Sequence, residues 1–239
     1  MNHHKVMNLY GGKINLHDYK VKIVTRSMCD DLYHISQSSI FLPFERIRLE
    51  LKTAEGYLYE ILQSDADYII NIDEDAFIID NCILEELVEY CIINEIDVCG
   101  FPDGGVLPIR MHNPLVANPF FNIFHTKKIK NYFSYRVIHS YCEHKKEYEK
   151  NTPFHLIRSP YSYDCFEPYY PFFIWLSQNF IVLYLNGETH EDGISTILKD
   201  HNGNPFLIHT WYAREYRKNE YHTNRINRII DSINVSNLI

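Results

Sequence analysis

Three consecutive acids, Asp73-Glu74-Asp75, follow directly on the apolar run Asp67 to Ile72 (DYIINI). Side chains at i and i+2 of an extended chain point the same way, so Asp73 and Asp75 can converge on one ligand while Glu74 points elsewhere. Two carboxylates at the end of a buried strand are costly unless a cation or hydrogen-bond donors compensate them. A divalent ion bridging to a diphosphate meets that need. The competing reading is an acidic loop or cap that binds nothing.

A second acidic group is Thr189-His190-Glu191-Asp192-Gly193. Gly193 to Lys199 is expected to form a short helix, with Asp192 at or near its N-terminus, where the dipole favours a carboxylate. Asp192 is then either a cap or a general base. In the run PFLIHTWYAR, His209 ends an expected strand. At the face where Asp75 should lie, an imidazole suits a third metal ligand, and such a mixed ligand set favours Mn²⁺ modestly over Mg²⁺.

Arg214 and Trp211 are three apart and share a face if that segment is helical. Arg214 can clamp a diphosphate bidentately or join a surface ion pair. Trp211 can stack on a sugar or pack. Thr25-Arg26-Ser27 ends the first expected strand in a donor-rich loop. Arg48 and Lys52, four apart on an expected helix, can approach phosphate or face solvent. Asp103-Gly104-Gly105 offers flexible backbone, and Arg110, His112, Asn118 and Asn122 are further contact candidates.

The elements that must position these groups follow from periodicity. Residues 1–17 are a polar lead-in. Tyr19 to Thr25 (YKVKIVT) alternates and predicts a strand. Pro43 is expected to open a helix with Phe44, Ile47, Leu51, Ala54, Leu58 and Ile61 on one stripe. DYIINI suits a strand buried on both faces. Cys82 to Ile93 predicts a helix and Ile96 to Phe101 a strand. The first 101 residues therefore alternate in βαβαβ order, which implies a right-handed, doubly wound parallel sheet. Residues 102–122 are expected to be a long loop, and 127–150 a partly helical, solvent-facing stretch. No assignment emerges for 151–178. Phe180 to Leu185 and Pro205 to His209 predict strands, and Trp211 to Ile233 a helix, with 216–239 as the C-terminal helix.

The chain has 239 residues, enough for one sizeable core, so 1–239 is expected to be a single domain. A net charge of -8 argues against nucleic acid as a partner, which needs clustered Lys and Arg. The six cysteines form no CxxC pair, and Cys82, Cys91 and Cys99 lie in apolar runs. They are expected to be reduced, buried thiols of a cytoplasmic protein. Met1 to Lys13 holds no apolar h-region, and no run approaches the ~20 apolar residues of a membrane span. Any membrane contact is expected to be peripheral. There is no GxxxxGK[ST] or GxGxxG phosphate loop and no GxSxG elbow.

The segment IINIDEDAF resembles the DxD region of GT-A fold glycosyltransferases, the nucleotide-diphospho-sugar transferases. The likeness covers roughly residues 19–215. It implies an α/β, Rossmann-like three-layer sandwich with a mostly parallel central sheet. It implies a hexosyltransferase-type enzyme that takes a sugar from a nucleotide-sugar donor to a hydroxyl of a glycan or lipid-linked sugar acceptor. It implies Mn²⁺ or Mg²⁺ on Asp75, with Asp73 on the metal or the ribose and Glu74 within the donor site. Glu191-Asp192 resembles the xED motif of inverting members, which makes Asp192 the base. HTWYAR resembles the C-terminal segment whose His, here His209, completes the metal site. The position of Thr25 and Arg26 resembles the part that meets base and ribose. Two rival expectations are a non-catalytic nucleotide-sugar or glycan binder and a sugar-phosphate nucleotidyltransferase. The latter should carry a Gly-rich basic loop after the first strand, where TRSMCDD has one Arg and no Gly.

Overall fold

The computed structural model describes residues 14–236. Most of the lead-in and the last three residues, 237–239, lie outside that range. The elements are β1 (Val21–Ser27), α1 (Asp30–Ser38), β2 (Glu45–Glu50), α2 (Gly56–Leu62), β3 (Tyr68–Ile72), β4 (Ala76–Ile78), α3 (Asn81–Ile93), β5 (Val98–Pro102) and β6 (Ala117–Phe124). They continue with α4 (Thr126–Ile129), α5 (Tyr135–His139), α6 (Tyr170–Asn179), β7 (Val182–Tyr184), β8 (Gly187–Thr189), β9 (Thr196–Lys199), β10 (Pro205–His209) and α7 (Glu220–Ser236).

Six strands form a central sheet in the order β2-β1-β3-β6-β5-β7. It is parallel except for β6, which runs antiparallel to both of its neighbours. All five residues of β3 are buried, as expected of a strand covered on both faces. Ile70 and Ile72 pack with α3 residues such as Leu84 and Leu87. Ile69, on the opposite face, packs with residues of α2 and α6. The expected α/β layering, with a mostly parallel sheet between helices, is present.

A second sheet, antiparallel throughout, has the order β4-β10-β9-β8. Only Asp73-Glu74-Asp75 separates β3 from β4. The acidic triplet is therefore the joint at which the chain leaves the first sheet for the second. Helices α1 and α7 close over the small sheet through Leu32, Phe77, Ile208, Ile226 and Ile229.

Several expectations are corrected. No helix starts at Pro43: residues 45–50 form β2, paired in parallel with β1. The apolar stripe fused two elements, Ile47 in a strand and Leu58 and Ile61 in α2. Between them Leu51 has φ 51° and is exposed, a chain reversal that periodicity cannot register. Residues 102–122 are not one loop, because β6 begins at Ala117. Its residues Asn118 and Asn122 are buried and their side-chain amides are used internally: Asn122 Nδ2 donates to the Asn118 carbonyl at 3.3 Å and Asn118 Nδ2 donates to Asp103 Oδ1. Gly193 to Lys199 is not a helix; it is a turn followed by β9, which pairs with β8 and β10. Trp211 and Tyr212 adopt left-handed backbone, at φ 57° and 61°, so no helix starts there and α7 begins at Glu220.

The unassigned stretch 151–178 ends in helix α6, which begins at Tyr170. Tyr170 to Ser177 are all buried, so the segment shows no polar face and hence no helical periodicity. Residues 127–150 hold only short helical turns. All six cysteines are free; Cys91 and Cys99 are buried, but Cys82 and Cys165 are exposed. Cys82 falls on the outer face at the start of α3, which Asp80 caps through the Cys82 and Ile83 amides. Among the described residues no helix is long and apolar enough to cross a membrane.

Candidate functional site

The carboxyl end of β3 opens into a cleft of about 440 Å³. In open α/β sheets that is where ligands bind. Arg26, Asp73, Asp75, His209 and Arg214 all line it, drawn from three separate parts of the sequence.

Asp75 and His209 meet because β10 pairs with β4 in the register that sets His209 opposite Ala76. The ladder continues one step further, with the Thr210 amide donating to the Asp75 carbonyl at 2.9 Å. His209 Nε2 then lies 3.1 Å from Asp75 Oδ1, with both side chains about 95% buried or more. The imidazole is sandwiched: it stacks on Phe120 at 4.2 Å, and Trp211 tilts against it at 4.2 Å. Its other nitrogen, Nδ1, is buried without a hydrogen-bond partner. Burial pushes the Asp75 carboxyl up, but His209 outweighs it and holds Asp75 below the usual range.

Asp73 faces the same cleft. Arg26, at the end of β1, contacts its Oδ2 at 3.4 Å and lies over the Tyr57 ring. Burial raises the Asp73 carboxyl above its ordinary value, and the neighbouring Asp75 adds to that while Arg26 opposes it. Glu74 points away, as alternation requires. Its Oε2 accepts from the Met28 amide at 2.8 Å, the Cys29 amide at 2.8 Å and the Ser27 hydroxyl at 3.0 Å. Glu74 thus ties down the loop that leads into α1. Thr25 is also turned inward, buried and accepting from Gln37 Nε2 at 2.9 Å.

Asp192 does not line the cleft. Its Oδ1 accepts from the Ile194 and Ser195 amides, and its Oδ2 from the Ser195 hydroxyl and from Arg225 Nη1 at 2.9 Å. Burial opposes the charge, yet these donors and Arg225 hold the carboxyl far below the usual range. Arg225 also donates to the Trp211 carbonyl at 3.1 Å. Asp192 therefore braces the left-handed segment that carries Trp211 into the cleft. Neighbouring Glu191 is exposed and also lies off the cleft. Arg214 sits in a short 3-10 turn, exposed, and lines the cleft beside Ala213 and Glu215. Arg48 and Lys52 do not share a helix face: Arg48, in β2, pairs with Asp30 and Glu50, and Lys52 pairs with Glu60.

A third arginine, the contact candidate Arg110, lines the cleft, held there by an anchor the sequence hid. Asp103 is fully buried after β5 and accepts from Arg110 Nε and Nη2, both at 2.8 Å. Asn118 Nδ2 and the Tyr170 hydroxyl complete its shell. This fixes one edge of the Arg110 guanidinium, which lies over the Trp211 ring, and Arg110 borders the cleft. Arg225 was equally hidden, although it stands four residues before Ile229 on the apolar stripe of α7. A charge on that stripe is the signal that marks a buried partner.

Asp75 and His209 fit a divalent cation. His209 Nε2 and Asp75 Oδ1, 3.1 Å apart, are spaced like two ligands of one ion with bonds near about 2.1 Å, and a carboxylate–imidazole pair suits Mn²⁺ or a similar metal. Among the described residues no cluster of three or more His, Cys, Asp or Glu side chains is arranged as a complete metal site. A cation held by two side chains must take its other ligands from a substrate or water.

No protein-family model matches the chain, and no curated protein matches it in sequence. Some solved structures are similar over part of the chain. One is a mannosyltransferase, PcManGT from Pyrobaculum calidifontis, in complex with GDP-Man and Mn²⁺; it is 8% identical, with a TM-score of 0.38, over 62% of this chain and 55% of that one. Another is a glycosyltransferase involved in glycosylation of the major capsid of PBCV-1, 12% identical, with a TM-score of 0.34, over 68% of this chain and 91% of that one.

Proposed function

We propose that this cleft is the donor site of a metal-dependent glycosyltransferase, which moves a sugar from a nucleoside-diphosphate donor to a hydroxyl acceptor with inversion. The observation that carries this is the buried Asp75–His209 pair at the carboxyl end of β3, with Nε2 3.1 Å from Oδ1. Beside it stand two arginines, Arg110 and Arg214, that line the same space.

Asp75 and His209 hold Mn²⁺ or Mg²⁺, which when bound supplies positive charge to the departing diphosphate. Asp73, oriented by Arg26, meets the ribose or the cation. Arg110 is held by Asp103 and needs no reorganisation to receive a phosphate oxygen, the condition under which a fixed charge stabilises a transition state most. Arg214, exposed at the rim, closes on the diphosphate from the other side. A smaller recess of about 260 Å³ continues from the cleft past Arg26, Met28, Leu51 and Lys52, and suits the nucleoside. Asp192 acts here through Arg225 and Trp211 as a positioning residue.

The test is thermal unfolding with Mn²⁺ and a panel of UDP-, GDP-, CMP- and dTDP-sugars, for wild type and Asp75→Ala. A ligand at ~100 times its dissociation constant adds about 2.7 kcal/mol, which in a chain of this length raises the midpoint by roughly 5–10 °C. The expected result is a metal-dependent rise with one nucleotide class that Asp75→Ala abolishes. No rise with any donor would reject the proposal.

A further inference from the structure

A second cavity, of about 720 Å³, lies beside the first, and Glu167 borders both. Its backbone is fixed at the start of α6, where the Tyr170 amide donates to the Glu167 carbonyl at 3.0 Å. Its half-buried carboxylate has no hydrogen-bond or ion-pair partner among the described residues. The other acids of the two cavities differ. Asp73 is occupied by Arg26 and Asp75 by His209. Glu55 borders only the second cavity and accepts from the Tyr59 hydroxyl at 2.8 Å. Glu215 borders only the first.

The walls of the second cavity mix aromatic faces with polar ends. Tyr59, Tyr135 and Phe166 contribute rings, and Tyr135 and Phe166 are 61% and 60% exposed. Glu55, Arg136 and His139 contribute hydrogen-bonding groups. Apolar faces with a few convergent polar groups are the form of a small-molecule site. A pyranose ring has this pattern in complement, with C–H faces and a hydroxyl rim.

We propose that the second cavity takes the acceptor sugar and that Glu167 is the base that deprotonates its attacking hydroxyl. This rests on the donor reading of the first cleft. In the step, the acceptor O–H bond breaks and its proton passes to the Glu167 carboxylate. The oxygen forms a bond to the anomeric carbon, while the bond from that carbon to the phosphate oxygen breaks and the nucleoside diphosphate leaves with the electron pair. Glu167 is placed for this because it is the one acid common to both cavities and its charge is not already neutralised.

The experiment uses the full chain with Mn²⁺, UDP-glucose, UDP-galactose and GDP-mannose as donors, and the p-nitrophenyl glycosides of glucose, galactose and mannose as acceptors. Nucleoside diphosphate release and transfer product are both measured. Removing a general base typically costs 10²–10⁴-fold. Glu167→Gln is expected to lose that much in kcat while binding nucleotide and Mn²⁺ as wild type does. Formate is expected to restore part of the activity of Glu167→Ala. Tyr135→Ala should raise the KM for the glycoside and leave the donor KM unchanged.

Wild type that binds no nucleotide with Mn²⁺ would reject the donor reading, and this proposal with it. With donor binding intact, transfer by Glu167→Gln within threefold of wild type would overturn the base alone. A larger loss in Glu215→Gln than in Glu167→Gln would overturn it too, by moving the role to Glu215. Donor binding without any nucleotide release in wild type would also overturn it, since a free carboxylate at the reacting centre should activate water.

Discussion

His209 Nε2 stands 3.1 Å from Asp75 Oδ1, across 134 residues of chain. The pairing of β10 with β4 creates this contact: a one-residue slip would turn His209 to the opposite face of the small sheet. Phe120, from the central antiparallel strand β6, stacks on the ring and holds its orientation. Three separate strands thus fix one pair of donor atoms.

His209→Ala should keep the fold and lose the metal. The variant is expected to retain its far-UV circular dichroism while its Mn²⁺ affinity falls more than about 100-fold, beyond the 10–100-fold typical of residues that only support ligands. Equal Mn²⁺ affinity in wild type and variant would remove His209 from the metal site.

Asp192 and Arg225 should matter first for stability. Both are largely buried, with side chains 13% and 5% exposed, and breaking one partner of such a pair costs about 3–5 kcal/mol. In a chain of this length that lowers the midpoint of Asp192→Asn by roughly 6–20 °C at pH 7. The sign with pH follows from the depressed folded carboxyl. Its contribution is present above the unfolded value near 3.9 and is lost as pH falls below that toward the lower folded value. Asp192→Asn should therefore unfold with a shallower acid dependence than wild type below about pH 4. Thermal melts from pH 2 to 8 check both; parallel acid slopes would contradict the assignment.

Arg110→Lys should not substitute for Arg110. Lysine cannot supply the two parallel donors that Asp103 accepts from Nε and Nη2. The expected result is lower stability from a strained buried carboxylate, together with weaker nucleoside-diphosphate binding by about tenfold or more, an order-of-magnitude figure for one charged hydrogen bond. Asp103→Asn should weaken the same binding without touching the ligand, because it releases the guanidinium. Titration calorimetry with UDP and GDP separates these outcomes from a purely structural role.

Glu74 offers the contrasting case within the triplet. Its carboxylate serves two amides and one hydroxyl of the loop before α1. Glu74→Gln should cost about 1–3 kcal/mol of stability, the penalty of disturbing buried hydrogen bonds. Mn²⁺ affinity of the folded variant should remain within a few-fold of wild type. A loss as large as that of Asp75→Ala would show Glu74 to be a ligand.

The site was legible in the sequence where a local rule governed it. Alternation at the end of a buried strand separates Asp73 and Asp75 from Glu74, and the structure shows that separation. His209 was reachable because its strand was readable. Asp192 was not, because a capped turn between two short strands has the same residue signature as a helix N-terminus. Asp103 and Glu167 lay in stretches rich in Gly, Pro and Tyr, where β6 and α6 are buried on all sides and show no period. Arg110 draws its position from Asp103 and Tyr170, contacts that no spacing encodes. The fold suffered in the same way at 43–61, where a strand, a reversed turn and a helix together imitate one amphipathic helix.

The most direct test of the central claim is calorimetric titration of Mn²⁺ into wild type and Asp75→Ala, alone and with saturating UDP, GDP, CDP or dTDP. If Asp75 and His209 hold a cation that the diphosphate completes, one nucleotide will tighten Mn²⁺ binding in wild type. By linkage Mn²⁺ will tighten that nucleotide by the same factor, and both effects will vanish in Asp75→Ala. Mn²⁺ binding that no nucleotide alters, or that Asp75→Ala leaves unchanged, would contradict it.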